Sequence, residues 1–384
     1  MGNSITSDLL VITAPFQNDA WTMLVNFLKV LKPLCNEIFL ITGLPEKVIL
    51  DRKIHLLNIR YDTRKSSVFM KILKYVALQV VMACKTFQVL STGGKKLNTV
   101  IFFLGATFLF PMLVTKFFKK KTLIVSTGSF SRSIKEVYMV GPIFYPFVMV
   151  LEKINYVLSN KIVCYSENLV WDLDLERYAN KISIAPNHFL DFTKFKIEKE
   201  FNSRNNLIGY VGRLSEEKGI INFVRAIPEV LKQRPNLEFL IIGDGLLRET
   251  LEKFIERNRL DHKVKMLGWV SHETIPSYLN ELKLLVLPSY TEGLPNVMLE
   301  AIACGAIVLA TPVGAVPAII KDGETGFLME DNSPECIARN ILKALNHPNL
   351  SEIINAAIKL VEIKYTFEKA VNRYKIILEN VRRF

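Results

Sequence analysis

Short, uniformly apolar runs alternate along this chain with longer stretches in which apolar residues recur every three or four positions. Runs of the first kind predict strands buried on both faces of a parallel sheet, and the longer stretches predict the helices that cover it. Strands are expected over 9–13, 37–41, 54–59, 100–104, 122–125, 161–164 and 181–184, with helices over 20–34, 68–90, 143–158 and 168–178. Between 186 and 206 the periodicity lapses into Asn, Asp, Lys and Phe, the mark of a connection between domains. A second series follows, with strands over 207–211, 237–242, 264–266, 284–287 and 307–310 and helices over 220–233, 246–258, 272–280 and 297–303. Further helices are expected after Ser333, Ser351 and Phe367. The predicted class is α/β with two domains: 1–190, a linker over 191–205, 206–365, and a final helix, 366–384, that crosses back to the first domain.

Two apolar stretches resemble membrane spans. The segment 68–90 carries Lys71, Lys74 and Lys85 among apolar residues at helical spacing, which predicts a long amphipathic helix. The segment 99–115 is punctuated by Gly105 and Pro111 and is short for a span, so it reads as a buried strand running into a helix that ends near Phe118. Lys119, Lys120 and Lys121 then meet the negative end of that helix dipole.

A length of 384 residues exceeds what one hydrophobic core serves, in keeping with two domains, and 50% hydrophobic against 22% charged residues excludes a mainly disordered chain. Five dispersed cysteines, Cys35, Cys84, Cys164, Cys304 and Cys336, form no Cys-x-x-Cys pair; neither a disulfide framework nor a zinc site is expected, and a reducing cytosol is the simplest setting. The first ten residues lack the features of a secretion signal, although 1–6 match a myristoylation pattern that would matter in a eukaryotic host. Of the net charge of +12, almost all falls within residues 1–200, where 26 Lys and Arg stand against 15 Asp and Glu. That excess suits an anionic substrate, an anionic membrane surface or a solvated face. No nucleic-acid-binding signature accompanies it, so nucleic acid is not expected as a partner.

Chemistry is expected at three strand ends of the second domain. Gly212-Arg213-Leu214-Ser215-Glu216-Glu217-Lys218-Gly219 joins a strand to a helix, the place where helix N-termini and loops gather anions in open parallel sheets. Gly212 admits close backbone approach, while Arg213 and Lys218 offer a planar fork and a mobile point charge for a diphosphate. Pro288-Ser289-Tyr290-Thr291-Glu292-Gly293-Leu294-Pro295-Asn296 leads into a helix that Pro295 can start. Glu292 sits in that loop among the N–H groups of 293–296, suited to sugar hydroxyls. Glu300, about two turns along the helix among apolar residues, needs a partner, for which a ribose diol would serve. Gly243-Asp244-Gly245 is a weaker signal, since such turns also serve packing alone.

The ordered set of these motifs, with Ala303-Cys304-Gly305 and Asp322-Gly323-Glu324-Thr325-Gly326, resembles the GT4-type family of retaining glycosyltransferases, also called glycosyl transferases group 1. The resemblance is dense from 207 to 345 and weaker earlier, at Ser166 and Ile184-Ala185-Pro186-Asn187. It implies the GT-B fold, two Rossmann-like parallel-sheet domains facing each other across a cleft. The implied activity is metal-independent, retaining transfer of a hexose-type sugar from a nucleotide-diphosphate sugar, a UDP-sugar or GDP-mannose, with no permanently bound cofactor. The acceptor would be a saccharide or lipid-linked saccharide in cell-surface polysaccharide or glycoconjugate synthesis, in the cytoplasm or peripherally on the inner face of the cell membrane. Arg213 and Lys218 would hold the diphosphate and Glu300 the ribose. Glu292 with Gly293, Leu294, Pro295 and Asn296 would meet the sugar, with Gly212, Gly243, Gly245 and Gly268 lining the donor and its base. Glu292, Arg213 and Lys218 are the catalytic candidates.

The first domain departs from the family pattern. Gln17, Asn18 and Asp19 stand where many members have a Gly-Gly loop, and Thr127, Gly128 and Ser129 where many have His-Gly or His-Thr. These six are the acceptor-side candidates. The missing histidine leaves two alternatives open: altered specificity, or a non-catalytic subunit of a polysaccharide-assembly complex. A nucleotide-sugar epimerase or phosphorylase on the same architecture is the third reading. Asp172-Leu173-Asp174 resembles a metal motif but supplies too few ligands, so no metal site is expected.

Overall fold

The computed structural model describes residues 7–15, 21–44, 49–61, 68–93, 96–127 and 141–383; the myristoylation pattern at 1–6 lies outside them. Contacts group the chain into two units, 7–188 with 368–383 and, between them, 189–367.

In the first unit seven strands run parallel: β1 (Asp8–Ile12), β2 (Ile38–Thr42), β3 (Ile54–Asn58), β4 (Leu97–Phe103), β5 (Lys121–Ser126), β6 (Lys161–Cys164) and β7 (Ile182–Ile184). Their order is β3-β2-β1-β4-β5-β6-β7. Every residue of β1 is buried, as a central strand covered on both faces requires, whereas edge strand β3 is largely open. The helices are α1 (Trp21–Leu31), α2 (Val68–Thr92), α3 (Leu109–Phe117), α4 (Gly141–Leu158) and the short α5 (Glu167–Asp172).

Two helices end earlier than periodicity suggests. α1 tightens after Leu31 into a 3-10 turn at Lys32–Leu34, because Pro33 has no N–H to continue the α-helical ladder. The helix expected over 168–178 stops at Asp172, beyond which Asp174 takes φ 53 and a separate 3-10 turn begins at Glu176. Asp172 and Asp174 therefore do not share a helix.

The second unit repeats the plan with β8 (Leu207–Val211), β9 (Glu238–Ile242), β10 (Val264–Gly268), β11 (Leu284–Leu287), β12 (Ile307–Ala310) and β13 (Phe327–Leu328). All neighbours are parallel, in the order β10-β9-β8-β11-β12-β13. Helices α6 (Ile220–Gln233), α7 (Arg248–Arg257), α8 (Ile275–Glu281), α9 (Asn296–Ala303), α10 (Pro334–Leu345) and α11 (Leu350–Lys364) surround the sheet. The winding direction reverses between β8 and β11, so the loops leaving those two adjacent strands flank the crevice where open α/β sheets bind ligands.

The stretch expected as a linker, 191–205, lies against the second unit. Buried Arg204 donates to the carbonyls of Lys199, Leu282 and Cys304 at 3.0, 2.8 and 2.5 Å, and Asn280 Oδ1 accepts the Glu198 amide at 2.7 Å. The last helix, α12 (Phe367–Arg383), packs into the first unit. Tyr374 donates to Ala185 O at 3.1 Å, Arg373 to Pro186 O at 2.7 Å, and the Tyr374 ring meets Phe27 of α1.

Candidate active site

The β8 and β11 loops touch backbone to backbone. Gly219 ends the 3-10 turn Glu216–Lys218 at φ +65 and starts α6, and a Cβ there would lie 1.9 Å from Pro288 O. Tyr290 N donates to Glu217 O at 2.9 Å, and Asn222 of α6 bonds both Tyr290 Oη (3.1 Å) and Asn332 O (2.9 Å). Only glycine permits this contact, and the contact brings the two candidate motifs together.

Lys218 Nζ lies 2.6 Å from Glu292 Oε1, and Ser289 Oγ donates to the same oxygen at 2.8 Å. The carboxylate is nearly buried and the ammonium three-quarters so. Among the described residues Oε2 accepts no hydrogen bond, which leaves one carboxylate oxygen for a hydroxyl. A third loop fixes the carboxylate's backbone: Gly314, at φ +59, runs so close to Glu292 O that a Cβ would sit 1.9 Å from it, and Ala315 N donates to Gly293 O at 2.8 Å.

Pro295 is the N-cap of α9 rather than its first residue, and Glu300 falls on the helix's fifth residue, a little over one turn in. The amides of Gly293, Leu294, Asn296 and Val297 donate to none of the described residues. Unfilled amides at the positive end of a helix can receive an anion; here they adjoin Glu292 of the same loop and, through its ion pair, Lys218 of the β8 loop.

Arg213 is 65% exposed, with Nη1 3.4 Å from Glu217 Oε1, and its side chain is the least constrained of the set. Its carbonyl accepts from Tyr210 Oη at 2.7 Å. Burial, with the Glu292 and Glu217 carboxylates, drives the Tyr210 phenol well above its usual range, so it stays a donor there.

Glu300 is buried, as its apolar flanks foretold, but its partner is a protein side chain. His272 Nε2 lies 2.8 Å from Glu300 Oε1, while Lys194 Nζ approaches His272 Nδ1 at 3.3 Å and Glu273 at 3.0 Å. An ammonium can only donate, so Nδ1 is the acceptor and Nε2–H points at the carboxylate. The ring also tilts against Phe195 at 5.4 Å. Sequence reasoning placed His272 inside a helix; α8 starts at Ile275, and a histidine in the loop after β10 was the available signal.

Gly243 and Gly245 serve packing, the other use that such turns have. Cβ atoms there would lie 1.9 Å from Gly212 O and 2.4 Å from Leu214 O, so they serve the packing of the β9 loop under the β8 loop. Gly212 joins that stack through its amide on Ile242 O, and Gly268, at φ +72, accepts from Gly243 N. Of the acceptor-side candidates, half-buried Thr127 follows β5, whereas Gln17, Asn18, Asp19, Gly128 and Ser129 lie outside the described residues. Among the described residues no three His, Cys, Asp or Glu side chains cluster as a metal site would require.

Two doubly wound parallel sheets, the second with an anion-ready loop cluster at its switch point, define a chain of the GT-B class. The family model described as glycosyl transferases group 1 matches residues 191–360, so this segment is similar to that family. It is 30% identical over 226 residues to the uncharacterized glycosyltransferase MJ1178 of Methanocaldococcus jannaschii, covering 58% of this chain and 60% of that one. It is 32% identical over 204 residues to the alpha-D-kanosaminyltransferase of Streptomyces kanamyceticus, covering 52% and 53%. The chain thus spans between half and three-fifths of these two relatives. Anabaena Alr3699/HepE, solved in complex with UDP, shares the fold with a TM-score of 0.75 at 15% identity, over 97% of this chain and 100% of that one.

Proposed function

We propose that the chain is a retaining, metal-independent glycosyltransferase that moves a hexose-type sugar from a UDP- or GDP-linked donor to a saccharide or lipid-linked saccharide. The observation that carries this reading is the Lys218–Glu292 pair set beside the unfilled amides of α9. Transfer breaks the bond from the anomeric carbon to the diphosphate and leaves positive charge on the carbon and negative charge on the leaving group. Lys218 and the α9 amides offset that negative charge from fixed positions, which lowers the barrier without rearrangement, and the exposed Arg213 adds its charge by swinging onto the diphosphate. Glu292 orients Lys218 through Oε1 and offers Oε2 to a sugar hydroxyl.

Retention follows if the acceptor hydroxyl attacks from the face the diphosphate leaves, its proton passing to the departing phosphate. Glu300 receives the ribose diol, held in place by His272. In the first unit the residues that follow β1 and β5 in the chain, 17–19 and 127–129, are assigned to the acceptor. The cytoplasmic setting expected from five unpaired cysteines is part of the same proposal.

A thermal-shift screen of UDP, GDP and their sugars tests the reading, since a ligand that binds only the folded chain raises its melting temperature. UDP comes first because the structural neighbour was solved with it. One nucleotide and its sugar should stabilise the chain, and activity should persist with a chelator. No stabilisation by any nucleotide at millimolar concentration would overturn the assignment.

A further inference from the structure

In the first unit the solvent-facing stripe of α2 is apolar. Met70, Leu73, Val76, Val80 and Phe87 are exposed at helical spacing, the reverse of an ordinary surface helix. Beside it, α3 exposes Phe110, Leu113 and Phe117, the last to 76%. α4 adds Phe147, Val150, Ile154 and Val157, again three or four residues apart.

These stripes lie on neighbouring helices. Tyr75 and Gln79 of α2 both donate to Thr107 O ahead of α3, at 3.0 and 2.7 Å, and Gln79 accepts the Phe110 amide. At the other end Phe87 meets Phe118 edge to face at 5.3 Å. Asn155 of α4 reaches Ala106 O at 2.9 Å, and Lys116 of α3 reaches Asn160 at 2.9 Å. Three exposed apolar stripes on touching helices are more than a water-exposed surface usually carries without an occupant.

Within the three helices the exposed charge is basic. Neither α2 nor α3 contains an Asp or Glu, and the sole acidic residue of α4, Glu152, is buried. Lys71, Lys74 and Lys85 flank the α2 stripe, and Lys153 is exposed on α4. Beside α2 a cavity of about 340 Å³ is lined by the cations Arg60, Lys74 and Lys85 and by apolar Ile59, Leu78 and Val81, and none of the described lining residues is a carboxylate. Val81 belongs both to this cavity and to the exposed apolar surface, so anion-binding and apolar regions are continuous.

We propose that this three-helix face docks on an anionic phospholipid bilayer, the lipid phosphate received by Arg60, Lys74 and Lys85 and the acyl region met by the stripes of α2, α3 and α4. α2 has the length and hydropathy of a membrane span, but three lysines within it and its hydrogen bonds to the α3 segment make it a helix that lies on the bilayer. A second copy of this chain is a poorer fit, since a two-fold contact would oppose the lysines of α2 to one another, and no exposed carboxylate among the described residues of the three helices would stand between them. The proposal is independent of the donor-site reading, because its residues belong to the first unit and its test reads lipid binding.

Cys84, on the exposed stripe, is the one exposed cysteine of the five, so a polarity-sensitive thiol dye reports from the face itself. The labelled and unlabelled full chain is mixed with vesicles of phosphatidylcholine, alone or with one-third phosphatidylglycerol. Sedimentation with the anionic vesicles and a blue shift at Cys84 are expected, both weakened by added salt. Lys74→Ala with Lys85→Ala should lower the affinity roughly thirtyfold, at about fivefold per lysine. Val80→Asp and Leu73→Asp should abolish it with unchanged melting temperature. Equal binding to both vesicles, no binding, or an unresponsive dye overturns the proposal. So does a lipid-free dimer that Val80→Asp dissolves, or stabilisation by inorganic phosphate without vesicle binding.

Discussion

Lys218 and Glu292, 74 residues apart in the chain, are held 2.6 Å from each other by two loops that only glycine at position 219 allows to touch. One motif supplies the cation and the other the carboxylate, and neither is complete alone.

Removing either cation should therefore weaken nucleotide binding. Lys218→Ala and Arg213→Ala each remove a charge-assisted contact worth about 1.5–3 kcal/mol, so affinity for UDP or GDP should fall roughly ten- to hundredfold. Calorimetry with the diphosphate and with the bare nucleoside checks this, since the nucleoside should be indifferent. Undiminished diphosphate affinity in both variants removes the site.

The Glu300–His272 pair yields a second expectation. His272→Ala leaves a buried carboxylate oxygen unpaired and should cost about 1–3 kcal/mol in urea unfolding. Glu300→Ala should erase the native chain's preference for UDP or GDP over the 2′,3′-dideoxy form, expected to be roughly tenfold. Equal binding of both forms by the native chain refutes the ribose role.

Two glycines with similar backbone angles separate strain from contact. At Gly323, φ +73, an added methyl group would meet nothing within 4 Å, so Gly323→Ala should cost only about 1 kcal/mol of backbone strain. Gly219→Ala adds a collision with Pro288 O and should both unfold more easily and lose nucleotide binding. Comparable melting temperatures for the two variants would contradict the proposed loop contact.

Glu330 should impart pH dependence to stability. Hydrogen bonds from the Cys336 thiol and Asn340, with Arg339 nearby, hold its carboxyl at about 2, below the ordinary 4.5. A depressed carboxyl stabilises the fold above the unfolded value and loses that contribution as pH falls through the folded one. The melting-temperature gap between the native chain and Glu330→Gln should be constant near neutrality and shrink between pH 4.5 and 2. A gap that does not change with pH argues against the carboxylate's role.

Thiol reactivity offers a check on the cores of both units. Burial pushes the Cys35, Cys164 and Cys304 thiols up to about 12, and Cys336 is buried as well. Titration of the native chain should find one fast thiol, absent in Cys84→Ser. More than one fast thiol means that the cores described above open readily.

The strands were legible because an apolar run such as 207–211 or 284–287 carries its own signal within five residues, as did the glycine turns between strands and helices. Helix ends were less so: Pro33 and the left-handed Asp174 stopped helices that hydropathy alone would have continued. Local pattern also named Arg213, Lys218, Glu292 and Glu300, since charge amid apolar or glycine-rich sequence signals that it has a task.

Partnership was beyond its reach. That Ser289 and Lys218 share one oxygen of Glu292, that His272 occupies Glu300, and that Gly243 is packed under Gly212 all depend on β8 lying between β9 and β11. The same holds for α2, whose spacing predicted an apolar stripe but not that the stripe would face outward. Periodicity is set by a few neighbouring residues, whereas strand order and the buried face of a helix follow from packing among segments tens of residues apart. The sequence by itself determined the elements and the chemical groups; the tertiary structure decided which groups meet.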